Sequence, residues 1–380
     1  MKVLIISHAY ASLNNHRKLE LLSGHKDLEV GLVVPKVWPS WHGQTLSEVA
    51  ARINLAYKIY PLNTHLSGNG GKYFYHPGEL FQAIREFKPD IIHLEEEPWT
   101  PASFEVCLFN RLFFHQKLIF FTWENLVDLP LNFWRRLIER YTFKSATLAI
   151  CGNQEAGQRI RSRGFAGAIE YLPQFGVDLG LFKKTDASQL RRQLRLEGKF
   201  VVGFVGRYVE EKGIGTLLKA MAGLGDDVSL LLVSSSPALP DNFAKMAKEL
   251  GVYEKLVPAS NIPYEEISKY MNLMDVFVLP SLTTKTWKEQ FGRTLVEAMA
   301  CQVPVLGSSS GAIPEVIGGA GLVFKEGEAE DLKQKIVQIH SSKDFATGLS
   351  QAGYRRAQEV YAYERIASRT YEIYNQVNRV

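Results

Sequence analysis

This sequence contains little cysteine, no long apolar run and no marked excess of charge of one sign. The 380 residues include three cysteines, Cys107, Cys151 and Cys301, which are widely spaced and form no metal-ligand pattern. Because their number is odd and their spacing wide, we expect reduced, mostly buried thiols in a cytoplasmic protein. The 44 basic and 40 acidic residues give a net charge of +4. This balance argues against nucleic acid as the main partner.

Further absences narrow the class of protein. No run of about 18 apolar residues occurs, so the sequence predicts no membrane-spanning helix. The apolar start, residues 2–7, is too short for a signal peptide and has no cleavage site, and we expect a buried strand there. The segment that follows, residues 8–15, has no GxGxxG motif, which disfavours a dinucleotide-dependent dehydrogenase.

Short apolar runs alternate with amphipathic segments along most of the chain, which is too long for one hydrophobic core. Buried strands separated by helices are typical of parallel sheets covered on both faces. The alternation stops at a polar, basic segment near residue 183 and then restarts. We therefore predict two doubly wound α/β domains, residues 1–180 and 181–355, facing each other across a cleft. We expect a helix over about residues 354–374 to carry a last segment, residues 356–380, back to the first domain.

The predicted elements can be stated by residue number. Strands are predicted at residues 2–7, 28–34, 91–94, 117–122, 147–151, 200–205, 229–234, 255–257, 276–279, 304–307 and 321–324. Helices are predicted at 78–87 and 131–143, among others. Because ligands of parallel sheets bind at the carboxyl ends of strands, the turns that follow these strands are the candidate sites.

Two pairs of charged residues stand in such turns. Glu289 and Glu297 are eight residues apart and flank a Phe-Gly turn before a predicted helix. A helix N-terminus can hold a phosphate, and neighbouring carboxylates can accept hydrogen bonds from sugar hydroxyls. Upstream, Arg207 and Lys212 form a glycine-bounded cation pair that suits a diphosphate. Each pair alone also fits an ordinary solvated surface. Together they predict a nucleotide-sugar site.

The segments around these residues resemble the donor domain of family 4 retaining glycosyltransferases, which have the GT-B architecture of two Rossmann-like domains. The similarity is dense from about residue 171 to 325. It rests on Gly206-Arg207, Lys212-Gly213, Pro280-Ser281, Glu289-Gln290-Phe291-Gly292, Glu297-Ala298-Met299-Ala300 and the segment from Gly311 to Ile317. The resemblance implies a donor site made by Arg207, Lys212, Glu289, Phe291, Gly292, Arg293, Thr294 and Glu297.

The resemblance also implies a role for each group. Arg207 and Lys212 would hold the donor diphosphate, and the backbone N–H groups of residues 292–294 would cradle its distal phosphate. Glu297 would bind the ribose hydroxyls, and Glu289 would contact the transferred sugar. Relatives need no metal ion or other cofactor, because these cations and the helix dipole offset the leaving-group charge. The nine histidines here form no HxxxH pair, which agrees with that expectation.

The activity implied is the transfer of a hexose from a UDP- or GDP-hexose to a saccharide or glycolipid, with retained anomeric configuration. No carboxylate stands out as a covalent nucleophile, so we expect same-face attack in which the leaving phosphate draws the acceptor proton. By analogy, the pathway is cell-surface polysaccharide or glycoconjugate synthesis. Two alternatives stay open, namely a nucleotide-sugar 2-epimerase of the same architecture and a catalytically silent nucleotide-sugar-binding scaffold.

The first half departs from the family pattern in two places. Residues 8–15 replace a glycine pair after the first strand, and the usual histidine after the fourth or fifth strand is missing. Glu124, next to the strand 117–122, is the candidate catalytic residue beside Glu289. Further candidates for the acceptor or the reaction centre are His93, Glu95, Trp123 and Asn125. Each of these side chains also fits a satisfied polar residue at a strand end, and the acidic cluster 95–97 fits a solvated surface.

Aromatic and basic segments of the first half suggest two further contacts. The loops 37–44 and 72–76 are rich in aromatic rings, which suit sugar binding but also serve as buried anchors. Basic residues between 111 and 144 lie among Phe and Trp residues. That mixture fits a helix lying on an anionic membrane, but an ordinary amphipathic surface helix is the more common explanation. A peripheral position at the inner face of the cell membrane is therefore one expectation for this cytoplasmic protein.

Overall fold

The computed structural model describes residues 1–39 and 56–379. It divides into two compact units, of which the first combines Met1–Gly176 with Tyr363–Val380 and the second is Val177–Ala362. The domain boundaries predicted from the sequence lay after residues 180 and 355, whereas the units here change after residues 176 and 362. Within the described parts of the chain, no helix combines the length and the apolar character needed to cross a membrane.

The first unit is built on a seven-stranded sheet with helices on both faces. Strands β4 and β5 form a separate two-stranded hairpin, and the other strands form the sheet. In chain order, the strands of this unit are β1 (Lys2–Ile6), β2 (Glu29–Pro35), β3 (Lys58–Leu62), β4 (Thr64–His65), β5 (Phe74–Tyr75), β6 (Ile91–Leu94), β7 (Lys117–Thr122), β8 (Leu148–Cys151) and β9 (Ala168–Tyr171). Its helices are α1 (Arg17–Leu22), α2 (Pro77–Phe87), α3 (Pro101–Phe109), α4 (Phe133–Ser145) and α5 (Gln154–Ser162).

The strand order of this sheet is β3-β2-β1-β6-β7-β8-β9, and each neighbouring pair is parallel. Alternate residues of β1 enter different cores, because Val3 and Ile5 pack on one face and Leu4 and Ile6 on the other. The order reverses between β1 and β6. The loops that follow these two strands therefore meet at the carboxyl edge, where sheets of this kind bind ligands.

The second unit repeats this plan with six parallel strands. They are β10 (Phe200–Val205), β11 (Val228–Val233), β12 (Leu256–Ala259), β13 (Val276–Leu279), β14 (Val305–Ser308) and β15 (Leu322–Phe324). Its helices are α6 (Ser188–Gln193), α7 (Ile214–Ala222), α8 (Asp241–Glu249), α9 (Ile267–Met271), α10 (Arg293–Ala300), α11 (Ile313–Ile317), α12 (Ala329–Ser341) and α13 (Lys343–Arg356). The order β12-β11-β10-β13-β14-β15 places the reversal between β10 and β13.

The end of the chain corrects one prediction. A single helix over residues 354–374 is wrong, because α13 runs into a π-type turn at Ala357–Tyr361 and the backbone of Ala362 is extended, with ψ of 141°. A separate helix, α14 (Tyr363–Arg379), follows and belongs to the first unit. Its residues Ile366, Ile373 and Tyr374 are buried in the core of that unit. Apolar residues continue across the break, so their spacing alone did not reveal it.

Candidate active site

In the second unit, the loop that follows β10 lies against the loop that follows β13. The amide of Leu282 donates a hydrogen bond to the carbonyl of Glu211 over 2.8 Å. Gly213 has φ of +70°, and a Cβ at this position would lie 1.8 Å from the carbonyl oxygen of Pro280. Only glycine allows so close an approach in this conformation. The two loops thus meet at the point of reversed strand order, where the sequence predicted a ligand site.

One cation and one carboxylate of the predicted site are in direct contact. The Nζ atom of Lys212 lies 2.7 Å from Oε2 of Glu289, and the hydroxyl of Ser281 donates to the same oxygen over 2.7 Å. The ammonium group of Lys212 also lies 4.9 Å from the centre of the Trp287 ring. The side chains of Lys212 and Glu289 are only 17% and 10% exposed. Removal of either partner would therefore leave the other charge in a poorly solvated position.

The turn after Glu289 leads into the N-terminus of α10. Gly292 has φ of +73°, and a Cβ there would lie 2.8 Å from Cδ2 of Leu279. Among the described residues, no side chain caps the first turn of α10, which begins at Arg293 and continues with the half-buried Thr294. Its leading N–H groups and the helix dipole favour an anion at this end. The ring of Phe291, by contrast, is buried and lies 5.6 Å from the ring of Tyr361, so it anchors the turn.

Glu297 is buried on α10 within a polar cluster. The Nε atom of Arg293 lies 3.1 Å from Oε1 of Glu297, and the hydroxyl of Tyr264 donates to that oxygen over 2.8 Å. Arg293 also donates to the Tyr264 hydroxyl over 2.7 Å. Burial raises the pKa of Glu297, while Arg293 and Tyr264 oppose that shift. Tyr264 stands far from the recognised motifs in sequence, so only the folded chain reveals its place here.

Arg207 follows β10 in the same loop as Lys212 and is half-buried. The second unit thus places Lys212 against Glu289 just before the start of α10, with Arg207 earlier in the loop of Lys212 and Glu297 one turn into α10. Cations, carboxylates and a helix N-terminus can together bind a phosphate group and hydroxyl groups.

In the first unit, two predicted candidates are taken up by internal contacts. Glu95 is buried, with Oε1 2.6 Å from Nζ of Lys18 and Oε2 accepting a hydrogen bond from Gln174 over 2.9 Å. Nδ1 of His93 lies 2.7 Å from the hydroxyl of Tyr374 in α14. Burial lowers the pKa of His93 to about 4, so its ring is neutral near pH 7. The alternative that the acidic cluster faces solvent is wrong for Glu95 and Glu96, which are both buried.

The residues after β7 also have local partners. Oε1 of Glu124 accepts a hydrogen bond from the amide of Leu126 over 3.0 Å. Nδ2 of Asn125 donates to Glu155 over 3.1 Å, and Nε1 of Trp123 donates to Gln174 over 3.0 Å.

Glu97 lies beside this segment and accepts hydrogen bonds from the Thr122 hydroxyl and the Trp123 amide, over 2.6 and 2.8 Å. Burial and the neighbouring Glu124 raise the pKa of Glu97 to about 7. Glu97 can therefore exchange a proton near neutral pH, a property that the sequence pattern did not indicate.

A close pair formed by His8 and Glu96 was not predicted from the sequence. Nδ1 of His8 lies 2.8 Å from both carboxylate oxygens of Glu96, which is buried and also accepts from the Tyr73 hydroxyl over 2.5 Å. The rings of Trp38 and Tyr73 lie 4.6 and 5.6 Å from the His8 ring. Of the aromatic loops, Tyr73 and Tyr75 are buried anchors, whereas Trp41 and His42 lie outside the described residues. The position of His8 directly after β1 was the available signal.

The two sheets, each with a reversal of strand order, define a protein of two Rossmann-like domains, the GT-B class. Solved structures show this fold over nearly the whole chain. Sucrose-phosphate synthase from Thermosynechococcus elongatus is similar with a TM-score of 0.76 and 22% identity, covering 99% of both chains. HepE from Anabaena, solved in complex with UDP, is similar with a TM-score of 0.78 and 18% identity, covering 99% of this chain and 100% of that one.

Residues 186–356 match the family described as glycosyl transferases group 1. The matching region carries Arg207, Lys212, Glu289 and Glu297.

Curated proteins show the same relationship. The chain is 29% identical over 199 residues to a protein of Mycobacterium tuberculosis named GDP-mannose-dependent alpha-(1-6)-phosphatidylinositol monomannoside mannosyltransferase, covering 50% of this chain and 51% of that one. It is 25% identical over 319 residues to spore coat protein SA of Bacillus subtilis, covering 77% of this chain and 79% of that one. The chain thus spans about half the length of the mannosyltransferase that it matches.

Proposed function

We propose that this chain is a glycosyltransferase that moves a hexose from a UDP- or GDP-hexose to a saccharide or glycolipid acceptor. The observation that carries the proposal is the contact between Lys212 and Glu289, at 2.7 Å, beside the N-terminus of α10. It lies in the region that matches the glycosyltransferase family. A similar mannosyltransferase is named for GDP-mannose, and a similar structure holds UDP, which supports a nucleotide-sugar donor.

Different residues of the second unit bind different parts of the donor. Arg207 and Lys212 bind the diphosphate, and the leading N–H groups of α10 at Gly292, Arg293 and Thr294 hold its distal phosphate. When the diphosphate binds the ammonium group of Lys212 in place of Glu289, the carboxylate of Glu289 becomes available to hydroxyls of the hexose. Glu297, which Arg293 and Tyr264 keep in place, accepts hydrogen bonds from the ribose.

The reaction is transfer with retained anomeric configuration, as in the family 4 enzymes that the motifs resemble. The leaving diphosphate gains negative charge as its bond to the sugar breaks. Arg207, Lys212 and the N-terminus of α10 stabilise that charge, so the proposed reaction needs no metal ion or other cofactor. The first unit provides the acceptor site, near the residues that follow β1, β6 and β7.

We further propose a peripheral contact with the inner face of the cell membrane through α4. Phe133, Trp134 and Leu137 on this helix are 66%, 71% and 43% exposed. The basic residues Arg136, Arg140 and Lys144 of the same helix line a cavity of about 620 Å³, together with Glu139 and its partner Arg163. Exposed aromatic rings beside a row of cations are typical of a helix lying at an anionic lipid surface. Such a position would suit a glycolipid acceptor in cell-surface glycoconjugate synthesis.

A thermal-shift screen tests the donor site first. The protein is measured with UDP, GDP and ADP and with their glucose and mannose conjugates, because a ligand of the native state raises the melting temperature. We expect one nucleotide to stabilise the wild type but not Arg207→Ala. The matched control is Arg192→Ala, which changes an exposed arginine of α6 and should keep the shift.

The stabilising donor is then incubated with octyl glycosides, and proton NMR of the product reports the anomeric configuration. Retained configuration supports the proposal. Binding without release of nucleotide on any acceptor would instead indicate a silent scaffold, and an epimerised sugar formed from donor alone would indicate a 2-epimerase.

A further inference from the structure

The cavity of about 620 Å³ in the first unit lies between α4 and residues 162–167 at the end of α5. Each of these helices follows one strand of the parallel sheet and leads to the next strand, so both end at the amino edge of the sheet. Ligands of such sheets bind at the opposite, carboxyl edge. The cavity is therefore separate from the place where the acceptor is expected to bind.

Positive charge predominates among the residues that line this cavity. Its four cations are Arg136, Arg140, Lys144 and Arg163. Glu139 is the one carboxylate among the described lining residues, and its charge is already balanced. Nη2 of the fully buried Arg159 lies 2.8 Å from Oε1 of Glu139, and Nε of Arg163 donates to Oε2. Glu139 therefore leaves the three cations of α4 without compensation.

The spacing of the cations on α4 is unfavourable for the helix itself. Arg136, Arg140 and Lys144 follow one another at intervals of four residues, and like charges at this spacing repel each other. Neither Arg140 nor Lys144 forms a hydrogen bond or ion pair with any residue that the structure describes. The helix dipole favours cations in the last turn, which contains Lys144 but neither arginine. An anion bound among these side chains would offset the repulsion.

The segment beside Arg163 leaves room for such an anion. Its lining residues Gly164, Ala166 and Gly167 have at most a methyl group as side chain. Gly164 has φ of +96°, and a Cβ built there would find no atom within 4 Å. A phosphate monoester carries about −1.5 to −2 charges near pH 7 and has three acceptor oxygens. Arginine binds such a group through its planar fork and lysine as a point charge.

We propose that this cavity is a binding site for a phosphate monoester, held by Arg140, Lys144 and Arg163. The monoester belongs either to a small soluble compound or to a lipid head group, because the recognised chemistry is the same. This inference does not depend on the proposed transfer reaction. It also goes beyond the proposed lipid contact of α4, since it assigns one phosphate group bound in a cavity instead of general attraction to a charged surface.

Calorimetry with glycerol 3-phosphate tests the soluble source. The cavity variant combines Arg140→Gln with Lys144→Gln, and we expect it to bind this monoester at least about 10-fold more weakly than the wild type. The control combines Lys26→Gln with Arg85→Gln. These exposed cations belong to the same unit but do not line the cavity, so the control loses equal charge and should bind as the wild type does. Binding at the proposed diphosphate site of the second unit is common to all three proteins.

Cosedimentation with vesicles tests the lipid source. Phosphatidylcholine vesicles contain the same molar fraction of either phosphatidate, a monoester, or phosphatidylglycerol, a diester. If a lipid head group is the ligand, the wild type and the control prefer phosphatidate and the cavity variant loses that preference. If the ligand is soluble, calorimetry shows the difference and the vesicles show no preference. Phe133→Ala with Trp134→Ala changes the proposed lipid contact outside the cavity and should bind glycerol 3-phosphate as the wild type does.

Equal binding by the cavity variant and the control in both assays refutes the phosphate site, whatever the outcome for glycosyl transfer. Should the cavity variant not fold, chemical protection of the wild type replaces it. Phenylglyoxal modifies accessible arginines, and mass spectrometry measures the modification of each. Glycerol 3-phosphate or phosphatidate vesicles should protect Arg140 but not Arg85, which is also exposed. Equal modification of Arg140 with and without both probes refutes the inference.

Discussion

The ammonium group of Lys212 and the carboxylate of Glu289 lie 2.7 Å apart, so two groups proposed to bind different parts of the donor neutralise each other without it. On the proposed function, the diphosphate competes with Glu289 for the ammonium group of Lys212, and a displaced Glu289 can accept hydrogen bonds from the sugar. We therefore expect nucleotide binding and sugar binding to be coupled through this contact.

The first prediction concerns Glu289→Gln. The amide keeps the size of the side chain and its contact with Ser281, but it removes the negative charge that competes for Lys212. We expect nucleoside diphosphate to bind at least as tightly as in the wild type, while transfer falls by about 10²–10³-fold, as when one preorganised polar contact is lost. Calorimetry with UDP and GDP and a nucleotide-release assay measure the two effects. Full transfer activity in this variant would exclude a role for Glu289 in the reaction.

Gly213→Ala should damage the fold where the loop after β10 meets the loop after β13. The new Cβ would stand 1.8 Å from the carbonyl oxygen of Pro280, at φ of +70°. We expect the free energy of unfolding to fall by about 2–4 kcal/mol. The matched control is Gly215→Ala in α7, where the nearest atom is Sδ of Met246 at 3.5 Å. That change should be neutral or stabilise by about 0.5–1 kcal/mol. Thermal unfolding of both variants measures the difference, and equal melting temperatures would contradict the tight approach.

His93 should make stability depend on pH in the acidic range. Its pKa is about 4 in the folded chain against 6.5 when unperturbed, so the unfolded state binds the proton first. As pH falls from 6.5 to about 4, this group should lower the free energy of unfolding by up to about 3 kcal/mol, and its effect should level off below that. His93→Asn should show a shallower loss of stability with falling pH, measured by urea unfolding at several pH values. His115→Asn is the control, because His115 is exposed and has φ of +56°, which asparagine tolerates. If His93→Asn follows the wild-type curve, the buried neutral state of His93 is wrong.

Binding to lipid should depend on the exposed face of α4. Phe133→Ala with Trp134→Ala removes apolar contact, and Arg136→Glu with Arg140→Glu reverses two charges. We expect the charge variant to bind vesicles of phosphatidylglycerol and phosphatidylcholine at least about 30-fold more weakly, since each surface cation contributes roughly 1 kcal/mol. Cosedimentation with these vesicles is the measurement. The control changes Val337 and Val360 of the second unit to Ala, because they are also exposed. Equal vesicle binding by the two α4 variants and the control would exclude α4 as the lipid contact.

The sequence predicted the central strands of both sheets and the two edge strands of the second sheet, but neither edge strand of the first. Residues 91–94, 117–122, 200–205 and 276–279 were predicted with the bounds that the structure has, because strands covered on both faces are continuous apolar runs. The edge strands β3 and β9 were missed. Ala168 and Tyr171 of β9 are exposed, and β3 contains Pro61, so neither segment shows the pattern of a buried strand.

The contact between Lys212 and Glu289 joins two residues that the sequence placed in one candidate site, because both lie in short turns with a recognisable pattern. Lys212 and Glu289 were both named before the structure placed them in contact. The first unit differs in this respect, since the partners of Glu95 are Lys18 and Gln174, which are 77 and 79 positions away. No local pattern shows whether such a carboxylate is buried in an ion pair or open to a ligand. The pair of His8 and Glu96 was missed for the same reason, as 88 positions separate its members.

The return of the chain to the first unit also fixes the order in which the protein can be completed during synthesis. Residues 177–362 form one continuous unit, whereas α14 is made after it and supplies Ile366 and Tyr374 to the first core. At about 5–20 residues per second, the ribosome needs roughly 10–40 seconds to make the intervening unit. During that time the nascent first unit exposes the apolar surface that α14 later covers. The first unit therefore cannot complete its core until the residues of α14 have been made.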